Sequence, residues 1–296
     1  MPNHDCHRKD CRRVCSEFGT FLNRRHLPRF EGHAFCSENC LRAHVKDEFV
    51  QRWHGMQQER NRRIPRPKLG TILMQTASLT REQLEEAIRL QKLTREGRLG
   101  EWLLRLGFVD ERQITVALAK QCGLPMIDLK NSEAKSDAVS MIPAQVAKCS
   151  SLVPVSYDDG QDSLRVAVSG PVNFNLQQAL RRMIGKGIST FIGDDSVIQS
   201  LLASWYEPEA LDLSKAPVFS SLDEFVEILR DTVSAAVNQK ATNLQAELLE
   251  KYFWARLDTG SRTRHYFYRY ISIPTQSEAA QPVGDPEYAV ASGGIW

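Results

Sequence analysis

Between residues 68 and 121 the apolar positions recur at helical spacing twice over, and each position of the second set lies thirty residues after its counterpart in the first. Leu69, Ile72, Leu73 and Thr76 mark the face of one short helix, and Leu99, Trp102, Leu103 and Leu106 repeat it. Leu84, Ile88 and Gln91 stand at i, i+4 and i+7, hence on one face of a second helix; Ile114, Leu118 and Gln121 do the same. Thr80-x-x-Gln83 and Asp110-x-x-Gln113 open these second helices as capping boxes. Gly107 suits the left-handed position that ends the first helix of the second copy, where the first copy has Ala77. A fixed offset over so many positions means that one unit, a helical hairpin, is used twice.

The pattern changes on either side. Upstream, residues 45–56 form a helix that runs into a Gln- and Arg-rich stretch and then Ile64-Pro65-Arg66-Pro67, which stiffens the chain and stops helix. Downstream, short β-rich runs at 152–155, 164–168 and 189–192 alternate with helical stretches through 184 and over 195–206, which indicates a small α/β layer. A linker at 208–217 leads to a helix at 222–237. Two aromatic strands, 252–257 and 266–273, then flank the turn Asp258-Thr259-Gly260-Ser261. Gly, Pro, Ala and Ser make 275–296 a disordered tail. The expected organisation is a multidomain α+β chain. Residues 1–48 are a zinc-finger-like module, 49–67 a helix and basic linker, 68–122 the tandem helical subdomain, 123–207 the α/β subdomain, and 208–274 a helix with a β-hairpin appendage.

Cysteine placement brings in the first chemistry. Five of the seven cysteines precede residue 41, and six of the seven histidines precede residue 55. Two C-x3-C pairs, Cys11/Cys15 and Cys36/Cys40, supply four thiolates, enough for a tetrahedral structural Zn(II) site. Cys6, His7, His33 and His44 stand as alternative ligands. So short a stretch has too few apolar residues to fold unaided, which favours a metal staple. Phe35-Cys36-Ser37-Glu38-Asn39-Cys40, followed by Leu41 and His44, resembles the second knuckle and helix start of treble-clef zinc fingers. No run has transmembrane length and no apolar signal segment follows Met1, so a cytoplasmic protein with reduced thiols is expected. Residues 1–68 hold fifteen Lys and Arg against eight Asp and Glu, which leaves the rest of the chain net acidic. That basic end could touch nucleic acid, but no aromatic stacking platform accompanies it, and a solvated linker is the expected reading.

Each repeat opens on a cation, Lys68 or Arg98, followed by Leu69-Gly70 or Leu99-Gly100, and closes on Gln91 or Gln121. Arginine offers a planar fork for phosphate or a guanine edge. Glycine near a helix start lets an anion approach backbone N–H groups. Aliphatic side chains, Leu84 with Ile88 and Ile114 with Leu118, can cover a purine face, and glutamine can donate and accept at a base edge. The set suits a flat, anionic, heteroaromatic ligand with two like halves. The stretch closely resembles the MshEN-type N-terminal domain of type II secretion and type IV pilus assembly ATPases, and the resemblance continues through about residue 206. It implies cyclic di-GMP as ligand, held by Lys68, Leu69, Gly70, Leu84, Ile88, Gln91, Arg98, Leu99, Gly100, Ile114, Leu118 and Gln121. It also implies a protein partner in a secretion, pilus or signalling pathway. Lys68 and Ala77 depart from the Arg and Gly usual in that family's motif.

Catalytic signatures are missing. Gly185-Lys186-Gly187 lacks the first glycine and the hydroxyl residue of a phosphate-binding P-loop. There is no Gly-x-Ser-x-Gly and no His-Glu-x-x-His. Cys122 and Cys149 sit in apolar helical surroundings and read as core residues. Two readings follow: a non-catalytic cyclic di-GMP receptor with a structural zinc, or a zinc-bearing protein or nucleic-acid adaptor whose helical domain docks without nucleotide.

Overall fold

A computed structural model describes residues 4–11, 14–15, 27–61, 67–94, 97–172, 174–208, 212–249 and 251–271. Ten helices and ten strands lie among them. The expected tail at 275–296 and residues 62–66 of the basic linker lie outside the described residues.

The first helix, α1 (Glu38–Asn61), begins where the Cys40 N–H donates to the Ser37 hydroxyl at 3.2 Å. Leu41, Val45, Phe49, Trp53 and Met56 recur every three or four residues along it, and all are buried. They face a mixed five-stranded sheet. In spatial order it is β3 (Arg29–Phe30), β8 (Asn243–Leu249), β9 (Tyr252–Asp258), β10 (Thr263–Tyr270) and β7 (Val218–Phe219). The three long strands are antiparallel, and the two short edge strands join in parallel. Helix α10 (Leu222–Asn238), capped by Ser221, packs with α1 over the same sheet face. Rings fill the space between: Trp53 stacks on Phe225 at 5.3 Å, and Phe49 meets Phe253 edge-on at 5.5 Å. The amino-terminal module and the carboxy-terminal appendage expected as separate parts are therefore one unit, built on one core from both ends of the chain. The physical reason is burial: the apolar faces of α1 and α10 have nothing else to cover them.

The sheet's other face belongs to a second core. Along β9, Phe253, Ala255 and Leu257 face α1 and α10, while Tyr252 and Trp254 turn to the opposite side, as the two-residue period of a strand requires. Trp254 is completely buried there, against the α/β layer. That layer holds β4 (Leu152–Asp158) antiparallel to β5 (Ser163–Val168), and β5 parallel to β6 (Gly187–Ile192). Its helices are α6 (Ser136–Ser140), α7 (Ala144–Cys149), α8 (Phe174–Ile184) and α9 (Asp195–Trp205). One buried carboxylate ties the two units. Glu247, on β8, takes a two-pronged hydrogen bond from Arg182 on α8 at 2.7 and 2.8 Å, and a third from Arg52 on α1 at 3.1 Å. Arg52 in turn pairs with Glu31 at 3.2 Å and with Glu48.

The tandem repeat makes a third, smaller core from α2 (Leu69–Thr76), α3 (Arg81–Thr94), α4 (Leu99–Arg105) and α5 (Glu111–Cys122). Leu73, Ala87, Leu103 and Ala117 are fully buried in it. It is fastened to the α/β layer through α5. Glu111 accepts from the backbone N–H and the hydroxyl of Ser196 at 2.6 Å each, and the Thr115 hydroxyl donates to Asp194 at 2.5 Å. Both contacts sit at the start of α9, where Glu111 gives the orphan Ser196 N–H its acceptor.

Candidate functional site

Both hairpins form as their spacing predicts. Each second helix begins with a complete capping box. Gln83 N–H donates to Thr80 at 3.2 Å and Thr80 N–H to Gln83 at 3.0 Å; the Asp110 and Gln113 pair does the same at 2.7 and 2.8 Å. Gly107 has a φ of +68°, the left-handed position expected of it. In the first copy that role moves one residue on: Ala77 keeps a negative φ, and Ser78 adopts +55°. Helix α2 is accordingly one residue longer than α4.

The openings of the two repeats are alike. Lys68 and Arg98 are both exposed residues in extended conformation immediately before a helix. The closing glutamines cross over. Gln91, at the end of the first repeat, donates to the carbonyl of Gly97, the residue before Arg98, at 3.0 Å. Gln121, at the end of the second, donates to the carbonyl of Pro67, the residue before Lys68, at 2.7 Å. Each repeat thus braces the entrance of the other. The cation of one copy stands beside the amide of its twin, a pairing that reading each repeat as self-contained does not anticipate.

Two expectations for this stretch change. Gly70 and Gly100 are buried and serve helix packing rather than open backbone. A Cβ on Gly70 would lie 2.7 Å from Leu84 Cδ1, and one on Gly100 would meet Ile114 at 3.5 Å. Ile114 is correspondingly spent on its glycine and only 9% exposed, whereas Leu84 packs on Gly70 and stays half-buried. Ile88 and Leu118 remain half-buried. What remains partly open on the repeats is the two cations, the glutamine amides and the side chains of Leu84, Ile88 and Leu118. Leu69 and Leu99 are half-buried members of the small core.

Among the described residues the cysteine cluster takes in Cys6. Sulfur atoms of Cys6, Cys11, Cys36 and Cys40 all lie within 4.8 Å of one another, and Cys36 is 3.5 Å from both Cys11 and Cys40. Cys6, kept open as an alternative, is the fourth thiol among the described side chains. Cys15 contributes backbone to a two-residue ribbon in which β2 (Val14–Cys15) pairs with β1 (His4–Asp5); its side chain lies outside the described residues. The spacing Cys6-x4-Cys11 is nearly that of the two chosen pairs, so sequence could not rank Cys6 against Cys15. A tetrahedral Zn(II) with bonds of about 2.3 Å sets its sulfurs about 3.8 Å apart, so the donor set fits the ion. Without a cation, burial pushes the Cys36 thiol up to about 12, and the Ser37 hydroxyl draws Cys40 down to about 7. His7 and His33 stack at 3.6 Å beside the cluster, and His44 pairs with Glu48 at 3.2 Å. Burial likewise pushes Cys149 up to about 12, as befits a core thiol.

Residues 122–211 match the sequence model of the MshEN domain family. The type IV pilus assembly ATPase PilB of Myxococcus xanthus is 29% identical over 139 residues, which is 47% of this chain and 24% of that protein. Bacteriophage adsorption protein B of Escherichia coli K12 is 30% identical over 139 residues, 47% of this chain and 18% of that one. The chain thus spans about a quarter or less of the length of the curated relatives it matches. A solved structure of MshE with cdg is 32% identical with a TM-score of 0.42, covering 48% of this chain and all of that one. Among the described residues no helix is long and apolar enough to cross a membrane.

Proposed function

We propose that this chain, which carries an MshEN domain, is a non-catalytic receptor for cyclic di-GMP whose amino-terminal unit is held by a structural Zn(II). The observation that carries the reading is the crossed brace. Gln91 and Gln121 fix the entrances at Arg98 and Lys68 in equivalent ways, which prepares two like half-sites for a ligand with two like halves. One half rests on Lys68, Gln121 and the half-buried Leu118; the other rests on Arg98, Gln91 and Ile88. The cations meet phosphate or guanine, and the amides, each with a free N–H and a carbonyl oxygen, meet a base edge. Cys6, Cys11, Cys36 and Cys40 hold the metal, which when bound fixes four thiolates and the start of α1. Signal passes to a protein partner of a secretion, pilus or signalling system in the cytoplasm.

A docking module without nucleotide is the second reading. It is favoured by the burial of Ile114 and by the amide hydrogens already committed to backbone carbonyls. Thermal melting separates the two. A ligand at a hundred times its Kd stabilises by about 2.7 kcal/mol, which raises the midpoint of a chain this size by about 5–10 °C. Cyclic di-GMP should do this, and linear diguanylate, which is less preorganised, should do so less at equal concentration. An unchanged midpoint at millimolar cyclic di-GMP leaves the docking reading.

A further inference from the structure

Three segments far apart in the chain line one cavity of about 300 Å³. Arg98 comes from the entrance of the second repeat. Ser151, Ser169 and Gly170 come from the α/β layer. Lys251 comes from the turn between β8 and β9 and Tyr252 from the start of β9, both outside the MshEN match. The guanidinium leans on the layer: a Cβ on Gly170 would stand 3.2 Å from Arg98 Nη1, so glycine leaves the room it occupies. The walls are pinned by backbone hydrogen bonds, Ser169 N–H to Ser151 O at 3.2 Å and Tyr270 N–H to Lys251 O at 2.7 Å. Among the described residues neither Arg98 nor Lys251 is paired with a carboxylate.

Two unpaired cations and serine hydroxyls converging on a small cavity make a site for anionic oxygen. The volume lies at the low end for a ligand pocket, too small for a whole cyclic dinucleotide and adequate for one phosphodiester with its sugar. We infer that this cavity takes one phosphodiester of the ligand held by the tandem repeat, and that Lys251 is a further binding residue supplied by the carboxy-terminal sheet. The inference rests on the receptor reading above and extends it to regulation. Binding then bridges Arg98 and the β8–β9 turn. The same strand β8 carries Glu247, which holds Arg52 of α1, so occupancy is felt at the zinc-bearing end. The second half-site is thus shared between two units, and the first is not.

Calorimetric titration of the full chain with cyclic di-GMP tests this, comparing wild type with Lys251→Gln and with Lys130→Gln, an exposed lysine away from the cavity. Loss of a charged hydrogen bond should weaken binding about tenfold to a hundredfold in Lys251→Gln, and Lys130→Gln should match wild type. In parallel, acetylation of wild-type lysines read by mass spectrometry should slow at Lys251 when ligand is present and stay unchanged at Lys130. Equal affinity in Lys251→Gln and wild type, or Lys251 acetylated equally fast with ligand bound, overturns the inference and leaves the receptor reading standing. A wild type that binds nothing overturns both.

Discussion

The tandem-repeat region and the unit that carries the cysteine cluster are stabilised in opposite ways. The four helices at 69–122 close on one another within that one stretch, with capping boxes and small residues where they cross. The other unit brings residues 27–56 against residues 218–257, across almost the whole chain, and adds four thiols at its end. Local closure costs little chain entropy and needs no staple; distant closure costs more and gains most from one. The difference teaches where a lesion should spread. Damage to the cysteine cluster should travel to the far strands of its own sheet while leaving the repeats folded.

The largest effect expected is at the cysteines. Structural zinc sites contribute on the order of 10–16 kcal/mol of apparent binding free energy. Cys36→Ser should lose zinc by elemental analysis and lose the near-ultraviolet dichroism of the Trp53, Phe219 and Phe225 cluster. Amides of α3 and α5 should keep their protection from hydrogen exchange. Loss of protection in both regions together would break the comparison.

Within the repeats the effects are smaller and sharpen it. Arg98→Ala should weaken cyclic di-GMP binding by about 1–3 kcal/mol. Lys68→Ala should cost less, because a lysine has no bidentate fork to lose, and Lys68→Arg should tighten binding. The smallest effect separates the two glycines. Gly70→Ala places a methyl 2.7 Å from Leu84, so overpacking outweighs the gain in helix propensity and should cost about 1 kcal/mol. Gly100→Ala, with its nearest neighbour at 3.5 Å, should stabilise by about 0.5–1 kcal/mol in denaturant unfolding.

What could be read from the residues follows the same division. Capping boxes, the thirty-residue offset and the alternation at 152–192 are local signals, and the corresponding elements form there. Strand β8 was not legible. Gln245-Ala246-Glu247-Leu248-Leu249 are good helix formers, and only pairing with β9, two apolar faces and two arginines from other elements make them a strand. The edge strands β3 and β7, two residues each, exist only through partners from the other end of the chain. In the candidate site, the cations and amides were legible as types, whereas the crossed bracing was not, because it depends on how one hairpin turns against the other. Lys251 carried no signal at all, since its place beside Arg98 comes from the packing of two units.

The central claim is that two repeats build one ligand site from two halves. Calorimetric titration of zinc-loaded wild-type protein with cyclic di-GMP measures it directly through the stoichiometry. The account predicts one cyclic di-GMP per chain in a single transition. Two ligands per chain, or no heat at millimolar ligand, would contradict it.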